Sequence, residues 1–199
     1  MINRGAEQVV LLDDDGLAVG TAEKATVHTD HTPLHLAFSC YLFNDAGQVL
    51  MTKRAYGKPT WPGVWTNSCC GHPAPKETIV EAIHRRTWKE LRLSVTDVTV
   101  VLPNFRYRSV MPNGIVENEL CPVALARVSG PLDPCPDPDE VDSWKWLRWQ
   151  DFLEFVEDAG IPTISPWCVL QCAELAALGA SSTHQLSKHT FSPITHLEH

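Results

Sequence analysis

The sequence predicts an α/β fold in the broad α+β sense, with a mixed β-sheet that carries two hairpins and is covered by helices. Two turn sequences, Asn44–Gly47 and Pro112–Gly114, each lie between apolar strand patterns, as in β-hairpins. Apolar residues recur at helical spacing over Lys76–Leu91. Two further helices are predicted at Gln150–Ala159 and Pro166–Leu178, the second with a proline in its first turn.

The predicted strands are short apolar segments bounded by turn residues or prolines. Glu7–Leu12 ends at the turn Asp13–Gly16, and the four prolines of Pro131–Pro138 require an irregular connection. Residues 20–35 and 61–73 show little helical or strand periodicity and are predicted to be irregular. In chain order, the predicted strands are Glu7–Leu12, Leu36–Phe43, Gln48–Arg54, Val95–Leu102, Asn104–Met111, Ile115–Arg127 and Ser143–Leu147.

The composition is that of one globular domain, predicted over residues 1–180, with a flexible tail at 181–199. Hydrophobic residues make up 44% of the chain, but no apolar run reaches the roughly 18 residues of a membrane span. The net charge of −8 argues against a nucleic-acid partner. Seven cysteines form no regular framework, and no export signal is evident, which predicts reduced thiols in the cytoplasm.

The stretch from Trp61 to Pro73, WPGVWTNSCCGHP, is the strongest candidate for a functional loop. A long loop without periodicity is costly to order and is usually functional. Cys70 and His72 are two residues apart, so an extended backbone would point both side chains the same way. This pair would place a nucleophile or proton donor beside a metal ligand.

Two glutamates and two further histidines extend this candidate site. Glu117 and Glu119 share one face of a predicted strand, where they are either exposed at a sheet edge or neutralised by a cation. His28 and His35 are either structural residues or further ligands. Three histidines and two glutamates would suit zinc or manganese, but their spacing does not establish that they converge.

Charged and aromatic residues elsewhere leave similar alternatives open. Glu77 and Glu90 on the predicted helix belong either to a solvated face or to a magnesium–diphosphate site. Tyr107 and Trp167 are core or rim residues, or else Trp167 offers a π face to a cation. Five basic residues are surface charges or jointly grip an anionic tail, namely Lys24, Lys53, Arg54, Lys58 and Arg86.

Several stretches together resemble the type I isopentenyl-diphosphate isomerases, a family with a Nudix-like fold. They are EKATVHTDHTPLHLAFS, WPGVWTNSCCGHP, RRTWKEL, FRYR, GIVENELCPV and SPW, in the family's order and close to its spacing. The motifs TNSxCGHP and GIVENExCPV are the specific ones. The resemblance implies a Nudix-like mixed β-sheet sandwiched between helices. It also implies isomerisation of isopentenyl diphosphate to dimethylallyl diphosphate in isoprenoid biosynthesis.

The resemblance also implies roles for individual residues. The positions that match the family's divalent-metal ligands are His28, His35, His72, Glu117 and Glu119. The implied catalytic residues are Cys70, Glu119, Tyr107 and Trp167. A substrate-bound magnesium ion is implied at Glu90 and Cys70. The diphosphate is implied to bind at Lys24, Arg54, Lys58 and Arg86.

In the scheme that the resemblance implies, Glu119, assisted by its metal and by Tyr107, protonates the double bond. The Cys70 thiolate then removes an allylic proton, and Trp167 faces the tertiary carbocation. The implied cofactors are Mg²⁺ with the substrate diphosphate and one Mn²⁺ or Zn²⁺ in the His/Glu site, without a flavin. The implied partner is the small isoprenoid diphosphate, without nucleic acid, membrane or an obligate protein partner.

Departures from the related hydrolases bear on the alternatives. A Nudix hydrolase carries acids where this chain has Arg86 and Lys89, which disfavours pyrophosphate hydrolysis. The isomerases usually have glycine where this chain has Arg92. One alternative is a Nudix hydrolase acting on a nucleoside diphosphate derivative, which would release phosphate. The other is a non-catalytic protein with a structural metal site, which leaves Cys70 unexplained.

Overall fold

The computed structural model describes residues 7–178, which form two mixed β-sheets and three helices. The helices are α1 (Ile79–Leu91), α2 (Trp149–Thr163) and α3 (Pro166–Ala177). The strands are β1 (Gln8–Leu12), β2 (Ala18–Glu23), β3 (His35–Leu36), β4 (Phe38–Phe43), β5 (Gln48–Arg54), β6 (Trp65–Thr66), β7 (Cys69–Gly71), β8 (Ser94–Leu102), β9 (Arg106–Val110), β10 (Val116–Leu120), β11 (Val123–Ser129) and β12 (Val141–Arg148). The predicted tail at 181–199 lies outside the described residues. None of the described helices is long and apolar enough to cross a membrane.

The larger sheet carries hydrophobic core on both faces. Its strand order is β12-β5-β4-β11-β8, with β6 paired to β5 and β7 paired to β4. Side chains alternate along β4, so Phe38, Cys40 and Leu42 pack with α1, while Tyr41 and Phe43 pack with α2 and α3. Burial of both faces explains the continuous apolar sequence of this strand. The predicted sheet between helices is confirmed.

A second sheet of five strands, in the order β2-β1-β3-β10-β9, adds to the single sheet that the sequence predicts. Strand β2 extends into the start of the region predicted to be irregular, and β3 begins at its last residue, His35. Strand β3 has only two residues, which pair with β1 and β10. The predicted strand Ile115–Arg127 is two strands, because the chain passes from one sheet to the other at Cys121 and Pro122. The strand with the two glutamates therefore belongs to the smaller sheet.

Helix α1 begins at Ile79 rather than at the predicted Lys76. A capping box fixes this start: Thr78 Oγ1 accepts from the Glu81 backbone N–H at 3.2 Å, and the Glu81 carboxylate accepts from the Thr78 backbone N–H at 2.8 Å. At the other end Arg92 is the C-cap, with a left-handed φ of 57°. Glycine adopts this conformation without steric cost, which explains why it suits position 92.

The predicted loop Trp61–Pro73 contains the two short strands β6 and β7, so it is not wholly irregular. Strand β7 is antiparallel to β4, and Cys70 lies opposite Ser39. The position of Cys70 is therefore set by pairing with the central strand β4 and not by a free loop. His72 follows directly after this strand.

Candidate active site

Three neighbouring strands bring His35, Glu119 and Tyr107 side by side. Strand β3 runs parallel to β10 with His35 opposite Glu119, and β9 runs antiparallel to β10 with Tyr107 opposite Glu119. Residues directly opposite each other in a sheet share one face, so these three side chains project together. His28, from the segment before β3, and His72, after β7, complete the group.

The predicted metal ligands converge. Ligand atoms of His28, His35, His72 and Glu119 all lie within 4.8 Å of one another. Glu119 Oε1 is 3.0 Å from His72 Nε2 and 3.5 Å from His35 Nε2. Glu117 lies beside this group, with its Oε2 3.2 Å from His28 Nε2. The structure therefore assembles residues separated by about ninety positions in the sequence, and this cluster could hold a metal ion.

The donor set fits a divalent cation. His28 Nε2, His35 Nε2 and Glu117 Oε2 are buried without a well-aligned hydrogen-bond partner among the described residues, which is costly for polar atoms. His35 Nδ1 donates to the Pro33 carbonyl oxygen at 3.0 Å, so Nε2 faces the cluster. Burial, together with the charge of Glu119, raises the pKa of Glu117. A cation would satisfy the unpaired atoms and offset the two like charges.

Cys70 lines a cavity of about 320 Å³ and is held from two sides. Its thiol donates to Asn67 Oδ1 at 2.9 Å, and Ser39 Oγ lies 3.4 Å from its sulfur. Burial raises the pKa of the Cys70 thiol to about 11, although the hydrogen bond with Ser39 and the charge of Arg54 oppose this shift. The thiol form is therefore favoured at neutral pH.

Glu119 lines the same cavity in the opposite protonation state. Burial would raise its pKa, but the nearby His35 and His72 rings outweigh this effect and hold the pKa well below its usual range. The Tyr107 hydroxyl donates to Glu119 Oε2 at 2.8 Å, and burial raises the pKa of Tyr107 well above its usual range. Among the protein groups alone, Cys70 and Tyr107 thus keep their protons and Glu119 is a carboxylate.

Aromatic rings form the apolar part of the cavity wall. The Trp167 ring centroid lies 5.8 Å from that of Tyr107 and 5.7 Å from that of Trp61. Its Nε1–H donates to Asn67 Oδ1 at 3.2 Å, which fixes the ring. The guanidinium carbon of Arg54 lies 5.3 Å from the centroid of Trp167, so this ring already attracts a cation.

The rest of the cavity wall is strongly basic. Arg86 is 2% exposed, and its Nε donates to Glu90 at 2.8 Å while its Nη2 donates to Glu140 at 3.1 Å. Its Nη1 is buried without a partner among the described residues. Lys58 also pairs with Glu140. All four residues predicted to bind a diphosphate line the cavity, namely Lys24, Arg54, Lys58 and Arg86.

Two of the charged residues that the sequence analysis weighed as candidates, one basic and one acidic, form local pairs instead. Lys53 Nζ donates to the Tyr56 hydroxyl at 2.8 Å, and Glu77 pairs with Arg85 at 2.6 Å before the start of α1. Neither residue lines the cavity. Both side chains belong to local pairs outside the cavity and are only partly exposed, at 22% for Lys53 and 15% for Glu77.

The sequence analysis missed three residues that shape the site, Ser39, Asn67 and Glu140. Asn67 lies within the singled-out loop, where its amide contacts both Cys70 and Trp167, but a single asparagine in a loop is no specific signal. Glu140 follows a proline-rich connection that gives no hint of a site. Burial would raise the pKa of Glu140, but the charges of Arg86 and Lys58 outweigh this effect and lower the pKa to about 2.

Comparisons with known proteins agree with this architecture. Residues 33–168 match the family model described as the NUDIX domain. A Deinococcus radiodurans crystal structure aligns with a TM-score of 0.64 at 16% identity, covering 84% of this chain and 98% of that one. The MutT NUDIX hydrolase of Burkholderia pseudomallei aligns with a TM-score of 0.53 at 20% identity, covering 71% and 98%. At these identities the two structures support the fold alone.

Sequence relatives are much closer. The isopentenyl-diphosphate Delta-isomerase of Saccharopolyspora erythraea is 58% identical over 88% of this chain and 89% of that protein. The enzyme of the same name from Mycolicibacterium vanbaalenii is 53% identical over 87% of this chain and 94% of that protein. The chain therefore belongs to the NUDIX domain proteins and, within them, to the isopentenyl-diphosphate Delta-isomerase family.

Proposed function

We propose that this protein converts isopentenyl diphosphate into dimethylallyl diphosphate, a step of isoprenoid biosynthesis, and that the reaction depends on divalent cations. One observation carries the proposal: a single cavity joins the His/Glu cluster, a thiol, an aromatic wall and a basic wall. Moving a double bond along the chain requires one proton to be added and another removed, and the cavity supplies an acid–base pair in Glu119 and Cys70.

The basic wall suits the diphosphate end of the substrate. The Arg86 Nη1 is a buried donor without a partner in the described part of the chain, available to a phosphate oxygen. Lys24, Arg54 and Lys58 add positive charge around the same cavity. Glu90, which Arg86 holds at 2.8 Å, and Cys70 would hold the magnesium ion that accompanies the diphosphate.

The aromatic wall suits the hydrocarbon end. Protonation of an unactivated alkene passes through a tertiary carbocation, which water would trap. Trp167 and Tyr107 are almost fully buried, at 3% and 6% exposure, and exclude water from this end. The Trp167 face stabilises positive charge through its quadrupole without offering a nucleophile.

Proton transfer then uses residues from the two sheets that line the same cavity. In the forward direction Glu119, protonated and hydrogen-bonded to Tyr107, gives its proton to the terminal carbon of the double bond, and the Cys70 thiolate removes an allylic proton. Glu119 ends as a carboxylate and Cys70 as a thiol, which are the forms that the pKa directions favour. The reverse reaction starts from these forms, so protons balance in both directions.

The His/Glu cluster would hold one Mn²⁺ or Zn²⁺ through His28, His35, His72, Glu117 and Glu119. When bound, that cation supplies positive charge at the Glu119 carboxyl. We also propose a cytoplasmic location, because all seven cysteines are free thiols, as is usual in a reducing compartment. The small isoprenoid diphosphate is the proposed partner.

The test is incubation of the protein with isopentenyl diphosphate, Mg²⁺ and either Mn²⁺ or Zn²⁺, followed by proton and phosphorus NMR. The expected result is dimethylallyl diphosphate at equilibrium with the starting isomer and no free phosphate. Release of phosphate would favour a hydrolase and contradict the proposal. A metal-loaded, folded protein that leaves the substrate unchanged would favour the structural metal site.

A further inference from the structure

A buried chain of hydrogen bonds leads from the core between β4 and α3 to the sulfur of Cys70. The Tyr41 hydroxyl donates to Gln171 Oε1 at 2.9 Å, and Gln171 Nε2 donates to Ser39 Oγ at 2.9 Å. Ser39 Oγ lies 3.4 Å from Cys70 Sγ. Tyr41, Gln171 and Ser39 are all 0% exposed, and the mechanism above assigns no task to any of them.

The direction of this chain follows from the donors and acceptors around each group. The phenol of Tyr41 is a strong donor, and its other acceptors are thiol sulfurs of Cys168 and Cys172 at 3.8 and 3.9 Å. The amide oxygen of Gln171 at 2.9 Å is the better acceptor, so the amide nitrogen faces Ser39.

Ser39 then has one proton to direct. A hydroxyl has one donor and two acceptor sites, and one acceptor site is taken by the Gln171 N–H. The neighbouring sulfurs are Cys70 at 3.4 Å and Cys121 at 3.5 Å. Because the Cys70 thiol donates to Asn67 Oδ1, its sulfur is free to accept from Ser39, and the more distant Cys121 thiol can donate to the second acceptor site of the hydroxyl.

We propose that Ser39 and Gln171 are positioning residues that aim a fixed O–H donor at the sulfur of Cys70. A donor that is already oriented stabilises negative charge as it develops on the sulfur during loss of the thiol proton, without a cost of reorientation. Gln171 acts only by fixing the direction of the Ser39 proton, and Tyr41 acts only by fixing the Gln171 amide. This inference rests on the proposed isomerase function.

The test is a double-mutant cycle on isomerase kinetics with Ser39→Ala, Gln171→Leu and the combined variant. Because a hydrogen bond to a charged group is lost, we expect Ser39→Ala and Gln171→Leu each to lower kcat by about tenfold or more. KM should stay within about twofold, since neither side chain belongs to the basic wall. The combined variant should be no slower than Ser39→Ala, because both changes remove the same donor.

Cys172→Ala is the matched packing control. It removes a buried sulfur next to Gln171 on α3 and the long 3.9 Å contact of that sulfur with the Tyr41 hydroxyl, but none of the three bonds that lead from Tyr41 to Cys70, so kcat should remain within about twofold of the wild type. Tyr41→Phe, which removes a single oxygen atom, should lower kcat in the same direction and replaces Gln171→Leu in the cycle if that variant does not fold.

Single variants with wild-type kcat, or a combined loss equal to the product of the single losses, would overturn the inference. Inactivity of the wild-type protein would instead overturn the isomerase function itself, so the two failures are distinguishable.

Discussion

Replacing Arg86 with lysine keeps the positive charge of the basic wall but removes the planar guanidinium group. Arg86 is 2% exposed. Its Nε and Nη2 donate to Glu90 and Glu140, and its Nη1 remains available to the cavity. An ammonium group is a point charge on a flexible stem and cannot reach both carboxylates and a phosphate oxygen in this geometry.

The magnitude follows from the bonds that are lost. A hydrogen bond to a charged partner contributes about 1.5–3 kcal/mol, so loss of the Nη1 donor should raise KM for isopentenyl diphosphate by roughly 10- to 100-fold. Loss of one buried carboxylate contact should lower the free energy of unfolding by about 2 kcal/mol. For a domain of this size, that shift corresponds to a Tm decrease of about 4–8 °C.

Steady-state isomerase kinetics and thermal unfolding measure both effects. The matched control is Arg127→Lys, because Arg127 also contacts two carboxylates, Asp45 at 3.2 Å and Asp97 at 3.7 Å, but is 56% exposed. There the same substitution should leave KM unchanged and Tm within about 2 °C. An Arg86→Lys protein with the wild-type KM would refute the role assigned to the Nη1 donor.

Three further predictions concern the thiol, the cation and the helix end. Cys70→Ala should fold but lose about 10²- to 10⁴-fold in kcat, measured by NMR turnover, and full turnover would exclude Cys70 as an acid–base group. Chelation should abolish turnover and lower Tm, and adding Zn²⁺ or Mn²⁺ at 100 times its Kd should restore about 2.7 kcal/mol of stability; equal Tm values with and without chelator would contradict a cation at the His/Glu cluster. Arg92→Gly should raise the free energy of unfolding by about 0.5–1 kcal/mol at unchanged kcat, since φ at this C-cap is 57°, and a lower Tm in thermal unfolding would argue against strain there.

Local signals explain what the sequence predicts correctly. The β4–β5 hairpin follows from its turn residues, and strand β5 has the predicted bounds Gln48–Arg54 because its pattern and its turn agree. Helix α1 follows from its periodicity, although its start depends on the side chain of Thr78, which a periodicity argument does not weigh.

Long-range pairing explains what the sequence could not predict. Strand β3 has only two residues, and it exists because β1 and β10 pair with it on either side. That pairing, and not any local preference, puts His35 opposite Glu119. The resemblance named these residues as candidate ligands, but the sequence pattern around Glu117 and Glu119 left solvent exposure equally open. The burial of Glu117 and Glu119, at 4% and 6% exposure, is a tertiary property.

Glu140 is a second residue whose place in the site depends on long-range packing and not on local sequence. Its contacts with Arg86 and Lys58 join a surface turn to α1 and to the segment after β5. No periodicity or motif links these three parts of the chain. Only tertiary packing brings Glu140 into contact with these two basic side chains.

The most direct test of the acid–base account is the isomerisation of isopentenyl diphosphate in D₂O, with the product analysed by NMR. If Glu119 and Cys70 are separate proton carriers that exchange with solvent, the newly formed methyl group of dimethylallyl diphosphate must contain deuterium. Dimethylallyl diphosphate that forms at full rate without deuterium would mean that one group moves the same hydrogen along the substrate, and would contradict the account.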